Sequence, residues 1–249
     1  MANSFFQFKQ FTVQQEHCAM KVTTDACLFG AWCAFVVNRQ PSAAHRSSSI
    51  VRRLLDIGTG TGLLSLMLAQ KNSDIKIDAV EIDEHAATQA ASNFQSSPWK
   101  ERLQVHQTSI QQFNPSNQLF DFIISNPPFF HNDLKSDHAK RNLALHSEAL
   151  SLEELLQSIK NNLTADGKFA VLLPYHRTAY FEKIAGTEKF YPEEKISVQQ
   201  TPQHPFFRTM LLFSNQPATS TQKEIIIKDE FNDYSTEFKE LLKDYYLYL

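Results

Sequence analysis

From residue 54 onward, short apolar runs alternate with helix-like segments, and this pattern constrains the fold most. Leu54–Ile57, Ile75–Ile82, Leu103–Gln107, Phe120–Ser125 and Lys168–Leu173 read as strands. Leu63–Gln70, Glu84–Gln95 and Ser151–Leu163 read as helices, the last opened by a capping box of Ser151 and Glu154. Strands joined by helices must run parallel, with helices covering both faces of one sheet. Tyr175–Ala185 reads as a further helix. Lys195–Gln200 and Phe207–Phe213 then follow with only a turn region between them, which predicts a closing antiparallel hairpin. Lys223–Lys228 suggests a short strand and Tyr234–Leu249 a terminal helix, neither with an assignable place. Ahead of the alternation, residues 5–22 are aromatic and polar. Asp25–Val37 is a helix with Thr24 or Asp25 as its N-cap, and residues 38–50 form a polar linker. The domain division that follows is a cap segment and linker at 1–50 and one domain at 51–249.

Composition narrows the function classes. The chain has 249 residues and a net charge of -3, so nucleic-acid contact requires a local patch and should weaken with salt. Cys18, Cys27 and Cys33 show no C-x-x-C spacing, which argues against a zinc site or disulfide framework. No metal and a reducing, cytoplasmic setting are therefore the expectation. The start of the chain lacks a signal-peptide pattern. Its longest apolar run, Ala26 to Val37, is 12 residues against the roughly 20 that a bilayer span needs, so no membrane partner is expected. A monomer is expected.

Three of the six glycines, Gly58, Gly60 and Gly62, fall within five positions at a strand-to-helix junction. Such a turn lets a ligand approach bare backbone at a helix N-terminus. Glu81 follows 19 residues after Gly62 at the end of the next strand, where a carboxylate can accept both hydroxyls of a ribose. Ile82 extends that contact. A dinucleotide fingerprint from Gly58 would need glycine where Leu63 stands, which disfavours a dehydrogenase. The pattern present, Asp56-x-Gly58-x-Gly60-x-Gly62, resembles motif I of class I methyltransferases. That resemblance implies S-adenosylmethionine as cofactor, with Asp56 orienting its methionine part. It also puts the adenine contact in the stretch holding Ser109 and Ile110. Members of that class often carry an Asp there, and Ser109 brings no charge.

The second informative stretch is Ser125-Asn126-Pro127-Pro128-Phe129 at the end of a strand. Prolines fix φ and make a stiff turn. An exocyclic base amine is a poor nucleophile because its lone pair is delocalised into the ring. Two acceptors, the Asn126 side-chain carbonyl and the Pro127 backbone carbonyl, can hold its hydrogens and favour a pyramidal nitrogen. Phe129 can stack on the base. Alignment and electrostatics then supply most of the rate.

Over almost its whole length the chain resembles the bacterial tRNA1(Val) (adenine-37-N6)-methyltransferase family. The resemblance is carried by Phe8-Lys9-Gln10-Phe11-x-Val13, by Cys18 through Asp25, by Gly30-Ala31-Trp32, and by Asn126 through Phe130. Ala144-x-His146 and Leu150 through Leu155 add to it. It implies an α/β, Rossmann-like class I methyltransferase fold with a mostly parallel seven-stranded sheet and an antiparallel C-terminal hairpin. It implies methyl transfer to the N6 amine of adenine in a tRNA substrate, and it places Thr24 over the cofactor pocket. Thr23 stands where the family often has glycine. Phe130, Lys140 and Arg141 are expected to contact substrate, the last two within a locally basic stretch. Because the Asn-Pro-Pro-Phe turn also occurs in guanine-N2 rRNA enzymes, and a Tyr version in protein-glutamine methyltransferases, it specifies an amine rather than adenine. A catalytically silent RNA chaperone that binds the cofactor is the alternative outside the enzymes.

Overall fold

The computed structural model describes residues 3–39, 51–115, 118–127 and 150–249. The chain opens with a two-stranded antiparallel hairpin, β1 (Phe5–Gln7) and β2 (Thr12–Gln14), followed by helix α1 (Thr24–Asn38). The alternating region runs β3 (Arg53–Ile57), α2 (Leu63–Lys71), β4 (Lys76–Glu81), α3 (Glu84–Gln95), β5 (Leu103–Gln107), β6 (Phe120–Ser125), α4 (Leu152–Asn162) and β7 (Leu163–Pro174). It continues with α5 (Thr178–Thr187), β8 (Tyr191–Gln199), β9 (Phe206–Ser214), β10 (Thr221–Ile226) and α6 (Thr236–Leu242).

The main sheet has eight strands in the order β10-β8-β9-β7-β6-β3-β4-β5. Only β9 runs against the others. The seven-stranded expectation therefore falls one short. β10, formed from the segment the sequence left unplaced, adds in parallel to β8 as an outer edge. The antiparallel β8–β9 pair follows the predicted hairpin, with each strand longer than its apolar run.

Period-two alternation builds the core. Leu54, Ile77, Phe122, Ile124, Ala170 and Leu172 face one cluster, which α1, α2 and α6 close. Leu55, Ile57, Val80, Ile123, Phe169 and Val171 face the other, which α4 and α5 close. Burial on both faces is what a parallel sheet requires. Ser151 and Glu154 form the anticipated capping box, with Ser151 N–H donating to Glu154 Oε2 at 2.8 Å. The N-cap of α1 is Thr23, not Thr24 or Asp25, and its side chain accepts from Ala26 N–H.

Both termini fold back onto the first cluster. Phe8 and Phe11 stack at 4.5 Å, Lys9 N–H donates to Tyr245 C=O, and the Tyr245 hydroxyl donates to Met67 C=O on α2. The terminal helix is shorter than the sequence reading of Tyr234–Leu249, ending at Leu242.

The strand order reverses between β3 and β6. Chain order moves outward through β4 and β5 on one side, and through β7 on the other. In open α/β sheets such a reversal opens a crevice at the carboxyl ends of the strands.

Candidate active site

The glycine turn leaves β3 at that crevice. Gly58 and Gly60 adopt φ of 72° and 56°, a left-handed backbone that costs other residues energy. A Cβ built on either would meet nothing within 4 Å, so this backbone faces open space. Gly62 shares this backbone at φ of 81° and is required for a further reason: a Cβ there would lie 2.5 Å from the Phe94 ring. The turn is tied to the end of β4 by Gly58 N–H and Thr59 N–H, which both donate to Val80 C=O.

Glu81 lies at the carboxyl end of β4. Its Oε2 accepts from Gly60 N–H at 2.8 Å and its Oε1 from Asp83 N–H at 3.0 Å. An ionised carboxylate has about four acceptor positions, so roughly two remain for a ligand. Ile82, next in the chain, is apolar yet 56% exposed beside the crevice. Across from it, Thr108 N–H donates to Glu81 C=O and brings the turn after β5 alongside. Ser109 is half-buried in that turn. The Ile110 side chain is packed in the core with Leu55, Ile57 and Val80, which leaves its backbone as what it can offer a ligand.

Asp56 is fully buried beneath the turn. Thr59 Oγ1 and Ser65 Oγ both donate to its Oδ2 at 2.7 Å, while Oδ1 is buried with no partner among the described residues. Burial pushes its pKa up to about 6, against the pull of the two hydroxyl bonds, and the nearby Glu81 charge adds to the rise. A buried acceptor without a donor is costly, so this oxygen fits a site that a ligand or an ordered water completes. The acceptor, the open backbone at Gly58 and Gly60, and the exposed Ile82 together suit a ligand with a cationic end and a nucleoside end.

On the other side of the crevice, Ser125 pairs with Ile57, and its Oγ donates to Ile57 C=O at 2.9 Å. Asn126 and Gly58 are therefore the next residues on neighbouring strands, which lie about 4.8 Å apart. Asn126 is half-buried and Pro127 buried. Glycine turn and Asn-Pro ledge thus share one crevice. Phe129, Phe130, Lys140 and Arg141 lie outside the described residues.

The N-terminal segment closes on the same edge. Thr24 begins α1 and is half-buried. The adjacent Asp25 accepts from Arg208 Nε on β9 at 2.7 Å. Gln15 organises the approach: its Oε1 accepts from Val22 N–H, and its C=O accepts from Lys21 Nζ. Burial pushes the Cys18 thiol up to about 11, with the charges of Glu81 and Asp83 adding to the rise against Lys21. Cys18 accordingly lies near the Glu81 side of the crevice, while Asp25 is held by β9 on its other side.

Several supports escaped the sequence reading. Ser65 is a polar interruption in the apolar run Leu63–Ala69, a visible signal of a buried polar task. Asn93 is buried on α3 and accepts from Gln14 N–H; its side-chain nitrogen donates to both Gln14 C=O and Thr61 C=O. It connects the N-terminal hairpin to the glycine turn. A cavity of about 500 Å³ on the flank of β3–β5, lined by Arg53, Asp78, His106 and Phe113 among others, includes none of the predicted site residues. Among the described residues no cluster of His, Cys, Asp and Glu could hold a metal ion, and no helix is long and apolar enough to cross a membrane.

Comparison with known proteins gives the fold and the family. Residues 43–180 match the family model of the Methyltransferase small domain. A solved structure of a predicted O-methyltransferase from Agrobacterium tumefaciens superposes with a TM-score of 0.65 at 14% identity, covering 88% of this chain and 96% of that one, which shows the shared fold. The tRNA1(Val) (adenine(37)-N6)-methyltransferase of Parabacteroides distasonis is 40% identical over 249 residues, 99% of each chain. That of Pseudoalteromonas translucida is 40% identical over 244 residues, 98% of this chain and 99% of its own. Identity at this level along the full length means that the chain belongs to the tRNA1(Val) (adenine(37)-N6)-methyltransferase family.

Proposed function

We propose that the protein transfers a methyl group from S-adenosylmethionine to the exocyclic N6 amine of adenine in tRNA, at position 37 of valine tRNA. The observation that carries this reading is the Ile57–Ser125 pairing, which sets the glycine turn and the Asn126 ledge side by side in a member of this family.

Asp56 Oδ1, the Gly58–Gly60 backbone, Glu81 and Ile82 would hold the cofactor: the first toward its amino-acid end, Glu81 toward its ribose, Ile82 against its base. The Ser109 hydroxyl and the Ile110 backbone would meet the same base, and Thr24 would border the pocket. When bound, S-adenosylmethionine supplies an electrophilic methyl on a positively charged sulfur. The protein's own contribution is to orient the amine. Asn126 Oδ1 and the Pro127 carbonyl accept its two hydrogens and direct the nitrogen lone pair into the crevice. Phe129 holds the base by its face, Phe130 adds to that contact, and Lys140 and Arg141 bind RNA phosphates. Transfer would exchange the S–C bond for the new N–C bond and leave a neutral thioether, and the surplus proton of the methylated amine would pass to water. Aligned acceptors in a water-poor site can lower the barrier substantially without a covalent enzyme intermediate.

Residues 1–50 act as a cap on the methyltransferase domain of 51–249, and a cytoplasmic monomer is the setting we adopt. The three cysteines are buried free thiols, in keeping with a reducing compartment. The test is Asn126→Ala. It should lower kcat by roughly 100-fold or more while S-adenosylmethionine affinity stays unchanged. Near-normal turnover would reject the role of Asn126.

A further inference from the structure

At the carboxyl edge of the sheet stands an aromatic pair that the site described above does not use. Tyr175 begins the 3-10 turn after β7, and Phe206 begins β9. Their ring centroids are 5.2 Å apart, inclined at 32°. Neither ring belongs to a core cluster, and Tyr175 is 42% exposed.

Register places the pair. Val171 is level with Ser125, and β7 runs three residues further to Pro174, which pairs with Arg208. With strands about 4.8 Å apart, Tyr175 and Phe206 overhang the edge that carries Asn126, one and two strands away. The support is rigid. Thr178 Oγ1 donates to Thr209 Oγ1 at 2.8 Å in a buried contact that ties the turn to β9, and Arg208 is ion-paired with Asp25.

Charge selects the partner. In a chain of net charge -3, residues 167–181 and 195–223 contain no Asp or Glu, and His176, Arg177 and His204 flank the two rings, while the Arg208 charge is taken up by Asp25. Aromatic faces among basic side chains suit unpaired nucleotides, whose bases stack on the rings while cations meet the phosphates. A nucleotide drawn into the crevice leaves its neighbours in the strand without a stacking partner.

We propose that Tyr175 and Phe206 form a stacking platform for an unpaired RNA base adjacent to the methylated nucleotide. This rests on the functional reading above and extends it to how the strand around the target is held.

Steady-state transfer from labelled S-adenosylmethionine to a tRNA transcript tests it, with Tyr175→Ala, Phe206→Ala and Tyr175→Trp compared with the unaltered protein. Each alanine variant should raise KM for tRNA roughly 10-fold with kcat little changed. Tyr175→Trp should stay near the unaltered KM, and cofactor affinity should be the same in all four proteins. An unchanged KM in both alanine variants would overturn the platform and leave the pair to a protein partner. Loss of cofactor affinity, or a tryptophan variant as impaired as the alanine one, would likewise overturn it in favour of a structural role. If the unaltered protein transfers no methyl to tRNA, the functional reading fails first and the platform with it.

Discussion

Burial gives Asp56 a pKa of about 6, and its Oδ1 has no partner among the described residues, so the proposed cofactor role would link its protonation to S-adenosylmethionine binding. A cationic ligand end favours the ionised carboxylate. Affinity for S-adenosylmethionine should therefore be flat above about pH 6 and fall as the pH drops through it. Calorimetric titration between pH 5 and 8 would check this, and Asp56→Asn should remove the pH dependence. Stability runs the other way. The folded pKa lies above that of the unfolded chain, so the penalty for burying the charge is absent at low pH and complete above about 6. Gly60 offers a second test at this scale. Gly60→Ala introduces no clash, since nothing lies within 4 Å, but it must hold φ of 56°. It should cost about 1 kcal/mol in urea denaturation and weaken cofactor binding further. The chemically distinctive residues, Asp56, the glycines, Glu81 and Asn126, were legible in the sequence because their types are tied to a strand end and a fixed spacing. Asn93 was not, because nothing local distinguishes a buried amide from a solvent-facing one on α3.

Among the elements, those that bury both faces were the readable ones. Leu54–Ile57 and Phe120–Ser125 stand out as apolar runs because two helix layers cover them. β10 was legible as a short strand over Lys223–Lys228 but not in its place, since its first four residues are exposed at the sheet edge and carry no alternation. β1 and β2 were missed because each is three residues long and held largely by packing of Phe8 and Phe11 against Tyr246 and Trp99. The link from this hairpin to the site is Asn93. Asn93→Ala would leave Gln14 and Thr61 backbone groups without their partner, at a cost of about 1–3 kcal/mol. Chemical denaturation should show that loss, and weaker cofactor binding should accompany it through the glycine turn. If stability falls while cofactor affinity holds, the hairpin does not steady the turn.

At the scale of the molecule, a net charge of -3 means that RNA must be met by local positive surfaces rather than by an overall field. Lys140→Glu combined with Arg141→Glu should weaken tRNA binding, most strongly at low salt, and leave S-adenosylmethionine binding intact. Equal affinity for tRNA in a filter-binding assay would remove those two residues from the interface. In the proposed function, cofactor chemistry falls on the β3 side of the shared crevice and substrate chemistry on the β6 side, with Ser125 bonded across to Ile57 at the boundary. The proposed function requires an adenine amine to reach that boundary. Incubation with isotopically labelled S-adenosylmethionine and tRNA from a strain lacking this modification, followed by nucleoside mass spectrometry, tests it most directly. Label is expected in N6-methyladenosine from valine tRNA at position 37, and is lost in Asn126→Ala. Label in a methylated guanosine, or in protein alone, would contradict it.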